Sequence, residues 1–222
     1  MNLYKLLTPT WVVESVRDLE PAALKARGIS AIITDLDNTL VPWKHYEIAP
    51  GVVEWLAKLE VAGIKICIAS NTLHVERLKQ LADTMNIPFV DRVRKPNTGG
   101  FIRSMKLMQS NFGNTAVFGD QIFTDVLAGN RLGLKTILVR PPLSKEEFIS
   151  TQMVRYVENF VIRKLQEQGQ WPIARLLAEA IEDLPHPESA AGRRITMSIV
   201  LLSGALAAGI GLALRRIWRW LK

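Results

Sequence analysis

The chain has 222 residues, 48% of them apolar and 22% charged, with a formal net charge of +7. That apolar content supports a packed core and excludes a disordered chain, while a single cysteine, Cys67, excludes an internal disulfide framework and suits a reducing compartment. The length fits one ordinary domain with something added, and the positive excess favours acidic partners (phosphorylated substrates, anionic lipid or nucleic acid) without choosing among them.

The first eleven residues carry one lysine, Lys5, and no long apolar core, so no secretory signal is expected. Between Pro9 and Pro21, Val12, Val13 and Val16 are spaced to line one face of a short helix. Residues 21–27 read as a second short helix, opened by Glu20-Pro21 and stopped by Gly28. Residues 29–34 form the first strand, an apolar run rich in Ile. It ends abruptly in Asp35 and Asp37, followed by Asn38 and Thr39, residue types that belong at strand ends and turns.

After Pro50 and Gly51 comes an amphipathic helix with Val53, Leu56, Ala57 and residues 59–61 as its apolar positions, and Gly63 stops it. Residues 64–69 are a second strand, ending in Ser70-Asn71-Thr72. Residues 75–85 read as a helix with Leu78, Leu81 and Ala82 inward. A short strand at 88–90 leads into the basic run Arg92-Val93-Arg94-Lys95-Pro96. A helix at 100–107 follows, then a strand at 115–118 ending in Gly119-Asp120-Gln121. A helix at 124–132, closed by Gly133, and a strand at 136–139 complete the pattern. Strands alternating with helices imply an α/β fold with a mostly parallel sheet and helices on both faces.

The chain changes character after Pro141-Pro142. Residues 146–181 read as helical with a break at 169–172, and Pro185 and Pro187 mark a linker. Residues 195–214 hold no charge; as a helix they would extend about 30 Å, the thickness of a bilayer's hydrocarbon core. Arg193 and Arg194 precede this run; Arg215, Arg216, Trp218, Arg219 and Trp220 follow it, the side chains that the water–lipid boundary prefers. A transmembrane helix is the expectation here, against a buried core helix that the short sequence past Pro142 is too thin to surround.

Asp35 and Asp37 lie close together at the carboxyl end of a buried strand, where open parallel sheets place their ligands. Like charges held that close call for a cation between them or a retained proton. Asp120 ends another strand and Asp125 opens the next helix, so the set makes a hard, oxygen-rich site suited to Mg²⁺. Zinc is not expected, because the one cysteine lies within a strand and no His pair has ligand spacing. A solvated turn is the bland alternative for Asp35 and Asp37. A calcium loop fails, since Leu40 stands where its sharp-turn glycine belongs and Tyr46 where its bidentate glutamate belongs. Ser70 and Asn71 offer donors to a phosphate, or else cap the helix after them. Lys95 adds a positive charge, and nucleotide-binding glycine motifs are missing.

The order and spacing of the four clusters, Asp35-Leu36-Asp37-Asn38-Thr39, Ser70-Asn71, Lys95-Pro96 and Gly119-Asp120 with Asp125, resemble the haloacid dehalogenase (HAD) superfamily over residues 28–142. The resemblance implies an HAD-like, Rossmannoid fold and a phosphatase. By it, Asp35 is the nucleophile and Asp37 the general acid–base; Ser70, Asn71 and Lys95 bind the phosphoryl group, and Lys95 also serves catalysis. The metal ligands would be the carboxylates of Asp35, Asp120 and Asp125, the last directly or through water, and the backbone carbonyl of Asp37. The gaps between motifs leave no room for a cap domain.

With Lys25, Arg27, Gly28 and Ile29 before the first motif, the sequence resembles the YqeG branch, which is similar to phosphatidylglycerophosphate phosphatases. That implies a phospholipid phosphate as substrate, a membrane as partner, no nucleic acid, and a catalytic domain on the cytoplasmic side or in an equivalent reducing compartment. Arg92, Arg94, Lys44 and His45 are candidates to meet the headgroup. The competing expectations are a tethered phosphatase of soluble sugar or nucleotide monophosphates, and a non-catalytic scaffold. The expected division is 1–142 for the phosphatase domain, 143–192 for a helical tail and linker, and 193–222 for a membrane anchor.

Overall fold

A computed structural model describes residues 3–144 and 149–172. The elements are α1 (Leu3–Leu7), β1 (Trp11–Val13), α2 (Pro21–Ala26), β2 (Ala31–Thr34), α3 (Val52–Val61), β3 (Lys65–Ala69), α4 (Val75–Met85), β4 (Phe89–Val90), α5 (Gly99–Met108), β5 (Thr115–Gly119), α6 (Leu127–Arg131), β6 (Lys135–Val139) and α7 (Ile149–Glu167). The six strands form one sheet in the order β1-β6-β5-β2-β3-β4, and every pairing is parallel. This is the expected α/β architecture.

β2 sits inside the sheet with all four residues buried. Its alternation feeds two cores: Ile32 packs with Trp55, Leu59, Leu78 and Phe118, while Ala31 and Ile33 pack with Cys67, Phe101, Met105 and Met108 on the other face. In register, Thr34 stands opposite Phe118 of β5 and Ile68 of β3, so the residues after β2, β3 and β5 emerge side by side. The strand order reverses at β2, where α/β sheets open a crevice. The β2–β3 connection holds a loop and α3, and the β3–β4 connection holds α4; neither contains an inserted domain.

Three local expectations are corrected. Trp11–Val13 is an edge strand paired with β6, not a helix face. Pro9 separates it from α1, and the aromatic and β-branched run suits the open backbone edge of β6. In α3 the inward residues are Val52, Trp55 and Leu59, whereas Val53 is 58% and Val61 92% exposed. A run of neighbouring apolar residues leaves the helical phase open, and the Trp55 indole, which donates to the Leu19 carbonyl at 2.9 Å, sets it. The helix expected at 124–132 is divided into a wide π-type turn, Ile122–Val126, followed by α6. Asp125 lies in that turn, and such turns recur at functional sites.

A third core joins α1, the π-turn, α6, β6 and α7, through Leu6, Leu7, Ile122, Val126, Leu127, Leu138, Val161, Ile162 and Leu165. Thus α7 packs on the α/β body. Among the described residues no helix is long and apolar enough to cross a membrane. The charge-free run at 195–214 lies outside the described residues, as do the linker prolines.

Candidate active site

The loop after β2 is a tight turn. The Asn38 N–H donates to Val41 O at 2.7 Å, and the Leu40 and Val41 N–H groups both donate to Leu36 O. Asn38 takes the left-handed backbone, φ 61°, which asparagine tolerates better than most residues. The buried side chains of Leu36, Leu40 and Val41 anchor the turn from below, leaving Asp35 and Asp37 at the sheet's carboxyl edge. The Asp35 N–H donates across to Phe118 O at 2.9 Å, tying β2's end to the strand that carries Asp120.

Lys95 is the pivot. Its Nζ lies 2.7 Å from Asp35 Oδ1 and 2.7 Å from Asp125 Oδ1. Burial by itself lowers the Lys95 pKa, but the adjacent Asp125 and Asp35 outweigh it and hold the ammonium charged. Lys95 reaches this depth because the loop after β4 alternates, with Arg92 and Arg94 outward and Val93 and Lys95 inward. Val93 fits only over a glycine: a Cβ on Gly100 would lie 2.1 Å from the valine side chain.

Asp35, Asp120 and Asp125 each offer a carboxylate oxygen within 4.8 Å of the others. Burial pushes the Asp35 carboxyl up to about 6 against the pull of Lys95. It also raises Asp120 well above the usual carboxylate range, with the Arg155 guanidinium opposing. Asp120 Oδ1 is buried without a hydrogen-bond partner. Three clustered carboxylates, one with an orphaned oxygen, face two close cations, Lys95 and Arg155, so negative charge is left over. The set therefore fits a hard divalent cation that takes oxygen ligands. Gly119 makes room for it: a Cβ there would stand 2.3 Å from Asp125 Cγ.

Asp37 stands apart from this trio. Its carboxylate pairs with Arg77 of α4 at 2.9 Å, and the same guanidinium donates to the His45 carbonyl at 2.6 and 3.1 Å. Burial raises the Asp37 pKa, with Arg77 pulling the other way. Ser70 and Asn71 follow β3 as expected, but their side chains are engaged locally. Ser70 Oγ accepts from the Thr72 N–H at 3.1 Å. The Asn71 side chain clasps the Lys95 backbone, accepting from its N–H at 2.8 Å and donating to its carbonyl at 3.3 Å. Asn71 is thereby a brace for Lys95.

Three residues of the site escaped the sequence reading. Arg77, in α4, carried no signal beyond being a charge beside an apolar stripe. Arg155 bonds the Asp120 carboxylate and carbonyl, and Glu158 accepts from the Ile122 N–H at 2.6 Å. Positions 155, 158, 161, 162 and 165 share one helical face, so two charges in an otherwise apolar stripe were the available clue.

A model of the HAD-hydrolase-like family matches residues 92–167. Over 171 residues the chain is 39% identical to the "Probable phosphatase YqeG" of Bacillus subtilis (strain 168), covering 76% of this chain and 98% of that protein. It is 28% identical over 185 residues to "Phosphatidylglycerophosphate phosphatase 1, chloroplastic" of Chlamydomonas reinhardtii, covering 78% of this chain and 67% of the relative. The corresponding chloroplastic/mitochondrial protein of Arabidopsis thaliana is 26% identical over 190 residues, 80% of this chain and 53% of its own length.

Proposed function

Because this chain belongs to the HAD-like phosphatases, in the branch that contains YqeG, we propose that it is a Mg²⁺-dependent phosphomonoesterase that converts phosphatidylglycerophosphate to phosphatidylglycerol at a membrane face. The convergence of Asp35, Lys95, Asp120 and Asp125 at the sheet's carboxyl edge carries the reading.

Asp35 is the nucleophile: its carboxylate attacks phosphorus and the ester oxygen leaves. Asp37, whose pKa burial raises against the pull of Arg77, donates a proton to that oxygen. It then takes one from the water that cleaves the aspartyl phosphate and frees inorganic phosphate. Lys95 neutralises Asp35 and an equatorial phosphoryl oxygen, and the Ser70-Asn71 segment lies beside it to receive the others. The carboxylates of Asp35, Asp120 and Asp125 and the Asp37 carbonyl would hold Mg²⁺. Bound there, the ion supplies the remaining charge neutralisation that phosphoryl transfer requires. Splitting hydrolysis between a carboxylate nucleophile and a water lowers each barrier.

The lipid substrate is supported by the names of the algal and plant relatives and by the rim of the site. Among the described residues no inserted domain stands between the site and solvent. The loops that follow β2, β3 and β4 carry the exposed Lys44, His45, Arg92 and Arg94, together with Tyr46, 58% exposed, and Leu73, 88% exposed. Basic and apolar side chains on one edge suit an anionic lipid surface. The charge-free run at 195–214 supplies a further membrane contact in this reading, with the catalytic domain on the cytoplasmic side or its equivalent. Phosphate release from phosphatidylglycerophosphate in mixed micelles, with Mg²⁺ and with chelator, tests it against a panel of soluble monophosphates. Higher kcat/KM on a soluble monoester would replace the lipid by a soluble substrate.

A further inference from the structure

α7 carries two charged side chains on the face that it buries. Arg155 and Glu158 lie one turn apart, in line with Val161, Ile162 and Leu165. Charges taken out of water cost more than they return unless their partners are excellent, so a buried ion pair by itself is a poor way to dock a helix. Arg140 at the end of β6 stands 3.9 Å from Glu158, but the hydrogen bonds that Arg155 and Glu158 make to the α/β body converge on the segment that carries Asp120 and Asp125. Arg155 donates to both the carboxylate and the carbonyl of Asp120. Glu158 accepts from the Ile122 N–H at 2.6 Å and the Phe123 N–H at 3.3 Å, where the π-turn begins. The two side chains join each other at 3.2 Å.

The consequence falls on Asp120. Arg155 holds Oδ2, and Oδ1 is the atom left buried without a hydrogen-bond partner, among the three converging carboxylates. A planar guanidinium fork can bind a carboxylate and a carbonyl at once and fix the carboxylate's rotation; an ammonium cannot. We propose that Arg155, oriented by Glu158, is a positioning residue that presents one Asp120 oxygen to the divalent cation, so that α7 is part of the catalytic unit. The inference rests on the reading of Asp35, Asp120 and Asp125 as a cation site.

Mn²⁺ titration of the full chain without substrate, followed by electron paramagnetic resonance, tests it. Arg155→Met is expected to raise the Mn²⁺ Kd by roughly 10–100-fold, the usual cost of losing a group that orients a metal ligand. Arg155→Lys should recover only part of the affinity, and Glu158→Gln should show a smaller rise. The Mg²⁺ concentration for half-maximal activity should shift in parallel, with kcat returning toward wild type at saturating metal. A melting temperature lowered in Arg155→Met with a Kd within about twofold of wild type would assign Arg155 to helix docking alone and overturn the proposal. Should Arg155→Met not fold, unchanged Kd values in both Arg155→Lys and Glu158→Gln have the same effect. No Mn²⁺ bound to the wild-type chain would remove the cation reading itself, a different result from equal binding across the variants.

Discussion

The Arg77 guanidinium pairs with the Asp37 carboxylate at 2.9 Å while donating to the His45 carbonyl at 2.6 Å. One side chain from the start of α4 thus fixes both the Asp37 carboxylate, the proposed acid–base group, and the loop carrying Lys44, His45 and Tyr46. Its own burial is offset by these partners.

Arg77→Met is expected to lower kcat by roughly 10-fold or more, within the 10²–10⁴ that general acid–base catalysis contributes in full. Arg77 pulls the Asp37 pKa down against burial, so its loss raises that pKa further. The limb of the pH–rate profile that reports Asp37 should move to higher pH. A profile superimposable on wild type would show that Asp37 is not the titrating group.

Asp35→Asn removes the proposed nucleophile but keeps the side chain's shape. Turnover should fall below detection in a phosphate-release assay, and far-UV circular dichroism should match wild type. A surviving rate of more than about a hundredth would place the nucleophile elsewhere.

Gly119→Ala puts a methyl group 2.3 Å from Asp125 Cγ. Overpacking of this kind costs about 1–3 kcal/mol, and it pushes Asp125 off Lys95. The expected result is a lower melting temperature together with a higher Mg²⁺ requirement. Stability lost with the Mg²⁺ requirement unchanged would leave Asp125 outside the cation site.

Burial pushes Asp35 up to about 6 and also raises Asp37, Asp120 and Glu158. Between about pH 4, where these groups ionise in the unfolded chain, and pH 6, the folded state holds more protons. Stability of the metal-free protein therefore falls as pH rises through that window. A cation that binds the ionised carboxylates restores it at higher pH. Melting temperatures in chelator should decline from pH 5 to pH 7, and excess Mg²⁺ should reverse the decline at pH 7 but not at pH 5. Curves that coincide with and without Mg²⁺ at pH 7 would count against the cation site.

The core strands β2, β3 and β5 were legible because buried parallel strands are continuous apolar runs with polar residues at their carboxyl ends. The same feature exposed Asp35, Ser70 and Asp120 as residues that emerge along one edge. Periodicity located α4 for a similar reason: Leu78, Leu81 and Ala82 mark one apolar face. Trp11–Val13 was misjudged because three residues carry too little period to separate strand from helix. The phase of α3 was misjudged because apolar residues adjoin on both sides of its true stripe.

What the chain of residues determined alone was the α/β alternation and the chemical identity of the acidic, hydroxyl and basic groups at the strand ends; both are local, written in runs and spacings. Only the folded arrangement decided which charges meet. Asn71 braces Lys95, Arg77 holds Asp37, and Arg155 reaches Asp120 from 35 positions away. Buried charges take their partners from whatever the packing of distant elements brings within hydrogen-bond reach, and no spacing along the sequence encodes that.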